Sequence, residues 1–324
     1  MQSRSLREGN VVIASFKIAN GEARIAPEIV RDGERLILKA RFRYTCQQLI
    51  GELGLYYRAR FTSQEMYENM LKPRMTLSPS PHARDVLVSY FWSGDAIRSR
   101  SVSDVVLSGS VDVPVPPARL SADWEREVSM RLGLEPGDVE TLPLARARAR
   151  WPDYGHCVRA VSDWTRSLGL QEVLAASEVA LMACRGAKYH HDGAHYGGAA
   201  FCNLFLSEDK GLDLHFPAAG HRIPLARGTA VIFDTGQPHA VLRRHSGSFD
   251  AADFGPDQDC TQVFLTWELP IEHADVGRVL RVDFDIDPST SLQLDEEQVR
   301  LNGAPALVGP DSGRWFTGNG SSPC

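Results

Sequence analysis

Residues 199–244 read AAFCNLFLSEDKGLDLHFPAAGHRIPLARGTAVIFDTGQPHAVLRR. The stretch divides into short runs that favour extended backbone, namely AAFCNLFLSE, GLDLHFPA, HRIPLARG, TAVIFDTG and PHAVLRR, separated by Gly, Pro or Asp turn signals. No helix-length pattern interrupts them. Connections this short cannot make the crossover that a parallel strand pair requires, so the sheets are antiparallel. Moving outward, SEVALMACRG (177–186) precedes the stretch and TQVFLTWELP (261–270) follows it. Seven or eight such strands predict a sandwich or jelly roll.

Upstream the texture is mixed. Residues 10–45 hold β-rich runs (NVVIASFKIA, EARIAPEIV, ERLILKARFRY) divided by Asn-Gly and Asp-Gly. TCQQLIGELGLYYRARF and SQEMYENMLK read as helices, and 73–120 as loops and edge strands around DVLVSYFW. SADWEREVSMRLGL predicts a helix capped by Ser121, and HCVRAVSDWTRSLGL predicts another. The fold class expected is therefore mainly β with helical decoration. A mixed α/β segment at 1–176 packs on the core and shapes the substrate pocket, 177–270 forms the catalytic core, and 271–324 is a C-terminal extension.

Bulk composition narrows the function. The chain has 324 residues, 43% hydrophobic and 23% charged, ordinary for a globular protein, with a net charge of −6 that does not invite a nucleic acid. Six cysteines lie far apart with no CxxC pair, which excludes a zinc ribbon and fits a reducing compartment. The N-terminus MQSRSLREGN lacks the apolar region of a signal peptide, and no apolar run reaches the length of a membrane span. These features predict a cytoplasmic protein acting on a small molecule, with neither nucleic acid nor membrane as partner.

The chemistry lies in KYHHDGAH (188–195). In an extended chain alternate side chains share a face, so His190 and Asp192 can reach one ion while His191 points away. A third ligand must come from another strand, and His239, just after Gly-Gln-Pro at a strand start, supplies it. Two histidines and one carboxylate on a β scaffold are the ligand set of a non-haem Fe(II) site with open positions. The other histidines, His195, His215, His221 and His245, read as surface or core groups, with His215 a candidate to line the pocket.

YHHD, followed by FCNLFLSEDKGLDLHFP, RGTAVIFDTGQPHAV and FLTWEL, resembles the 2-oxoglutarate/Fe(II)-dependent oxygenase superfamily over roughly residues 177–270. The resemblance implies a double-stranded β-helix, a jelly roll whose signature is H-x-D…H. It implies Fe(II) held by His190, Asp192 and His239, with 2-oxoglutarate taking two further positions and O2 the last. The implied activity is a dioxygenase that hydroxylates a small molecule and decarboxylates 2-oxoglutarate to succinate. His191-x-Gly193 matches by letter a variant pattern in which glycine replaces the aspartate and the enzyme halogenates. A rival of another class is a non-catalytic, cupin-like binding module.

The pattern is incomplete in one respect. The family usually grips the far carboxylate of 2-oxoglutarate with an Arg or Lys on the last core strand. TQVFLTWEL has no basic residue, and Gln262 stands near the expected place. Arg243, four residues past His239 on the same strand face, is the first candidate, because a guanidinium pairs bidentately with a carboxylate. Arg244 and Arg222 are further candidates. Asn203, between Phe201 and Phe205 on one face, reads as a polar group orienting the cofactor.

Overall fold

In a strand with one face to the core, side chains alternate between two environments, and two stacked sheets therefore sort each strand's residues into two apolar layers. The computed structural model describes residues 86–317 except 133, 134, 256 and 257, together with several short strands upstream. Contacts divide the chain into two units, Met1–Arg60 and Phe61–Cys324. The first carries an antiparallel sheet of β1 (Arg7–Glu8), β2 (Val11–Ile13), β3 (Glu28–Asp32) and β4 (Arg35–Lys39), in that order. Asp32 pairs with Arg35. The helices expected at 45–61 and 63–72 lie outside the described residues.

The second unit begins with β5 (Thr76–Leu77), then β6 (Leu87–Ser93), β7 (Ala96–Ser101), β8 (Val106–Ser110) and β9 (Val139–Leu142). Eight strands follow from 178 to 270: β10 (Glu178–Cys184), β11 (Ala187–His190), β12 (Ala199–Phe205), β13 (Leu212–Phe216), β14 (His221–Pro224), β15 (Thr229–Asp234), β16 (His239–Arg243) and β17 (Gln262–Pro270). They divide equally between two antiparallel sheets, β8-β15-β12-β17-β10-β9 and β11-β16-β13-β14. The eight strands form a jelly roll, and β8 and β9 widen its larger sheet. A third sheet, β5-β20-β19-β18-β6-β7, joins upstream strands to β18 (Gln298–Leu301), β19 (Ala304–Val308) and β20 (Trp315–Thr317).

Alternation explains the layers. Ala200, Cys202 and Leu204 of β12, with Leu265, Trp267 and Leu269 of β17, belong to an outer core that also takes Leu120, Trp124, Cys157 and Val161 from the helices. Phe205, Phe233 and Phe264 pack in the inner core with Leu212, Leu214 and Phe216 of the smaller sheet. The amphipathic period of the helix Tyr154–Ser167 matches this layer, since Cys157, Val161 and Thr165 recur every four residues.

The helices that close the outer layer are α1 (Ala118–Arg126), which runs on as a π turn over Glu127–Leu132, α2 (Leu144–Arg150) and α3 (Tyr154–Ser167). The first differs from its expectation: Pro117 occupies the N-cap, and Ser121 lies inside the helix. The earlier start buries Leu120 together with Trp124, four residues on, which a start at Ser121 would forgo. Two shorter helices, α4 (Ala274–Leu280) and α5 (Pro288–Ser291), lead into the third sheet. Among the described residues no helix is long and apolar enough to cross a membrane.

Candidate metal centre

Strands β11 and β16 are antiparallel neighbours, and their register places His190 opposite His239. Ala187 pairs with Val241, so β11 spends three residues where β16 spends two. That is a β-bulge, a device that re-aims a side chain. The two imidazoles face each other with centroids 4.4 Å apart. Asp192 lies beyond the end of β11, in a turn whose geometry is set by backbone bonds. Its N–H donates to the Thr235 carbonyl at 2.7 Å, and its own carbonyl accepts from His195 and Tyr196. The two side chains come together by another route than simple alternation along a strand: β11 carries a bulge before His190, and a turn presents Asp192.

The three side chains converge. Asp192 Oδ1 stands 3.8 Å from His190 Nε2, and Oδ2 stands 3.6 Å from His239 Nε2. One ligand atom from each of the three lies within 4.8 Å of the others. These separations are too long for hydrogen bonds. They suit donors that share one ion, since two atoms each about 2.1 Å from a metal stand about 3–4 Å apart.

The donor chemistry fits a cation as well. His190 Nδ1 lies 2.7 Å from the Lys188 carbonyl, and His239 Nδ1 lies 3.0 Å from the Gln237 carbonyl. A carbonyl only accepts, so each Nδ1 carries the proton and each Nε2 keeps its lone pair toward the centre. Burial, and then the neighbouring His190, push the His239 imidazole down to about 4, so it stays neutral at physiological pH.

His191 and Gly193 are placed otherwise. The His191 ring packs on Trp315 at 5.0 Å, and burial pushes it down to about 4. A Cβ at Gly193 would come within 2.9 Å of both the Gly236 Cα and Val299 Cγ2. Glycine at 193 is thus demanded by the close approach of two turns, and a side chain there would meet backbone. His215 is turned from the pocket: its Nδ1 meets the Tyr189 hydroxyl, and it alternates with Leu214 and Phe216 of the inner core. His195, His221 and His245 are exposed.

The arginine candidates are committed elsewhere. Arg243 donates to the Asp253 and Lys210 carbonyls at 2.9 and 3.1 Å and to Gln258, with its guanidinium over the Phe254 ring. Arg244 grips Asp209 through both terminal nitrogens and Asp213 through Nε. Arg222 donates to Asp213 and to the Arg243 and Ser246 carbonyls. The expectation that Arg243 or Arg244 grips a bound carboxylate finds no support in these contacts. Loop carbonyls and aspartates already hold these side chains, and a ligand would have to displace them.

The inner face offers neutral groups instead. Asn203 pairs across the sheet with Thr266, and both are buried. Asn203 Oδ1, Thr266 Oγ1 and Gln262 Oε1 have no hydrogen-bond partner among the described residues. Asn203 lies one inward-facing position from Phe201, whose partner Phe233 packs against the His239 ring at 4.7 Å. One such step along a strand is about 7 Å. An unpartnered buried polar atom costs about 1–3 kcal/mol, and the Asn203–Thr266 pair has hydrogen-bonding capacity free for a polar ligand. Thr266 was legible in principle, because Gln262, Phe264 and Thr266 alternate along TQVFLTWEL.

No protein-family model matches the sequence, and no curated protein is similar to it. Among solved structures the chain is similar to a viral collagen prolyl hydroxylase from Paramecium Bursaria Chlorella virus-1. The truncated form is 13% identical, over 51% of this chain and 88% of that one, at a TM-score of 0.28. The same hydroxylase in its 2OG complex is 10% identical, over 51% and 94%, at a TM-score of 0.28. EvdO2 from Micromonospora carbonacea var. aurantiaca is 14% identical, over 51% and 86%, at a TM-score of 0.32. Likeness of this degree speaks to neither substrate nor reaction. By its H-x-D…H spacing and its own jelly-roll strand order, the chain resembles the 2-oxoglutarate/Fe(II)-dependent oxygenases.

Proposed function

We propose that this protein is a non-haem Fe(II) oxygenase that uses 2-oxoglutarate as co-substrate, with His190, Asp192 and His239 as the iron ligands. The observation that carries the reading is the convergence of two Nε2 lone pairs and one carboxylate at 3.6–3.8 Å, with each Nδ1 tied back to a carbonyl. Bound iron, with 2-oxoglutarate and O2, supplies the oxidative decarboxylation that drives hydroxylation of a second substrate. The chain's own residues bind and orient. Asp192 balances cationic charge, and the two histidines hold fixed tautomers without reorganisation. Phe216 and Phe233 pack against His239, with Phe201 behind Phe233, as apolar surface that excludes water. Asn203 and Thr266 offer hydrogen bonds to a co-substrate lying below the histidines. The geometry gives no support to a His191-x-Gly193 site.

The test is anaerobic loading of the full-length protein with Fe(II), followed by 2-oxoglutarate and air, with succinate measured. The expected result is metal-dependent succinate formation, even uncoupled from a prime substrate, that disappears in His239→Ala. Metal binding without succinate would leave the cupin-like binding module as the better reading.

A further inference from the structure

We infer that Arg100 is a positioning residue of the metal centre, joining the turn that carries Asp192 to the turn that leads to His239. The inference rests on the metal reading above and concerns residues outside the ligand set.

Arg100 lies on β7, in the third sheet, outside the jelly roll. Its side chain and that of Asp234 are both wholly buried. The guanidinium forms a fork on the carboxylate, Nη1 to Oδ2 at 2.6 Å and Nη2 to Oδ1 at 2.8 Å. Its Nε donates to the Gly197 carbonyl at 2.8 Å. Asp234 ends β15 and opens the turn to His239, and it also accepts the N–H groups of Ser103 and Gly236, each at 2.8 Å. Gly197 directly follows Tyr196, whose N–H donates to the Asp192 carbonyl and so closes the turn that begins at Asp192. One rigid, planar group thus fixes both ligand-bearing turns at once, with the Phe91 ring beneath it.

Stability alone is a poor reason for such a pair. Apolar residues of similar volume usually serve a buried position as well or better, because both charges must leave water. What apolar residues cannot do is hold two backbone turns at fixed separation and angle. Arginine is suited to that because its three donor directions are set by one plane, whereas an ammonium is a single point charge. Thr235 reinforces the joint, its hydroxyl lying 2.7 and 2.8 Å from the carbonyls of Tyr196 and Ala199. Groups that orient metal ligands from behind typically change metal affinity 10–100-fold when lost.

The experiment is a Co(II) titration of the metal-free, full-length protein, read by visible absorption, with circular dichroism and a thermal melt as controls. Two variants are compared with wild type. Arg100→Lys keeps the charge beside Asp234 but cannot make the fork and the Gly197 bond together. The double variant Arg100→Met/Asp234→Leu removes both charges, so no unpaired charge is left buried, and the Ser103 and Gly236 N–H groups and the Gly197 carbonyl lose a partner. Both are expected to be folded and to bind Co(II) about 10–100-fold more weakly, with shifted absorption bands. A folded variant of either kind with wild-type affinity and spectrum overturns the inference. If the double variant does not fold, Arg100→Lys decides alone. Wild-type protein that takes up no Co(II), or His239→Ala that binds as tightly as wild type, removes the metal reading itself, an outcome distinct from intact binding in the Arg100 variants.

Discussion

At His190 and His239 the backbone decides which nitrogen is free, and at Asp192 it decides where the charge lies. The sharpest consequence is a contrast between neighbours. Asp192→Ala removes the anionic member of the triad, and Fe(II) or Co(II) affinity should fall by about 100-fold or more. His191→Ala removes a ring that packs on Trp315, and affinity should stay within about tenfold of wild type. Titration of the two variants side by side checks this, and a reversed order would restore the His191-x-Gly193 reading. Thr266 gives a second test. Its buried hydroxyl is unpartnered in the free protein, so Thr266→Val, nearly the same shape, should leave the melting temperature unchanged or raised. If the hydroxyl holds co-substrate, KM for 2-oxoglutarate rises by roughly tenfold, worth about 1.4 kcal/mol. An unchanged KM takes Thr266 out of the pocket.

At the scale of elements, β16 and its loops separate two roles that a strand drawn in one dimension merges. Arg243 sits on the strand that begins with His239, yet its donors stitch the 210 and 253–258 segments together. Arg243→Ala should therefore lower the melting temperature while KM for 2-oxoglutarate stays near wild type. A large KM rise with an unchanged melt would return the anchor to Arg243. The turns around the site predict a further cost. Gly193→Ala puts a methyl 2.9 Å from the Gly236 backbone, which cannot swing aside as a side chain can, and should destabilise by about 1–3 kcal/mol in a denaturant melt. On β13, His215 titrates below its ordinary value because of burial and then the nearby Arg222. The unfolded chain then takes up this proton first, at about pH 6.5, so stability is full above that pH and declines as pH falls toward the lower folded value. His191 and His239 act in the same direction, so His215→Gln should make that part of the stability profile less steep without levelling it, measured by melts across pH 5–7.

At the scale of the whole molecule, the second unit carries a sheet that the jelly roll does not contain. β18 pairs with β6, joining the C-terminal extension to the segment before the core. Val299 of β18 reaches Gly193, and the Tyr90 hydroxyl of β6 donates to Asp287 at 2.6 Å. A chain ended after Pro270 loses β18, β19 and β20, leaving β6 with an uncovered edge and Tyr90 without its partner. Such a chain should be insoluble or lack a cooperative melt, and a soluble, cooperatively folding product would show that the third sheet is dispensable.

Local pattern alone determined a good deal. The short apolar runs of 177–270 could form only antiparallel strands, because the connections between them are too short for anything else, and the described strands follow those runs. His190, Asp192 and His239 were legible as a group because ligand residue types stood at strand-compatible spacing. Chain-distant contacts decided the rest. The bulge in β11, the covered ends of Arg222, Arg243 and Arg244, and the pairing of Asn203 with Thr266 all depend on which strands meet. Ser121 lost its expected cap because burial of Leu120 outweighed a local preference. Arg100 carries no local signal, being one of two arginines in IRSRS (97–101). Its importance arises only where β7 meets the turns at 197 and 234, because a buried charge takes its role from the groups folding brings to it and from nothing in its own neighbourhood of sequence.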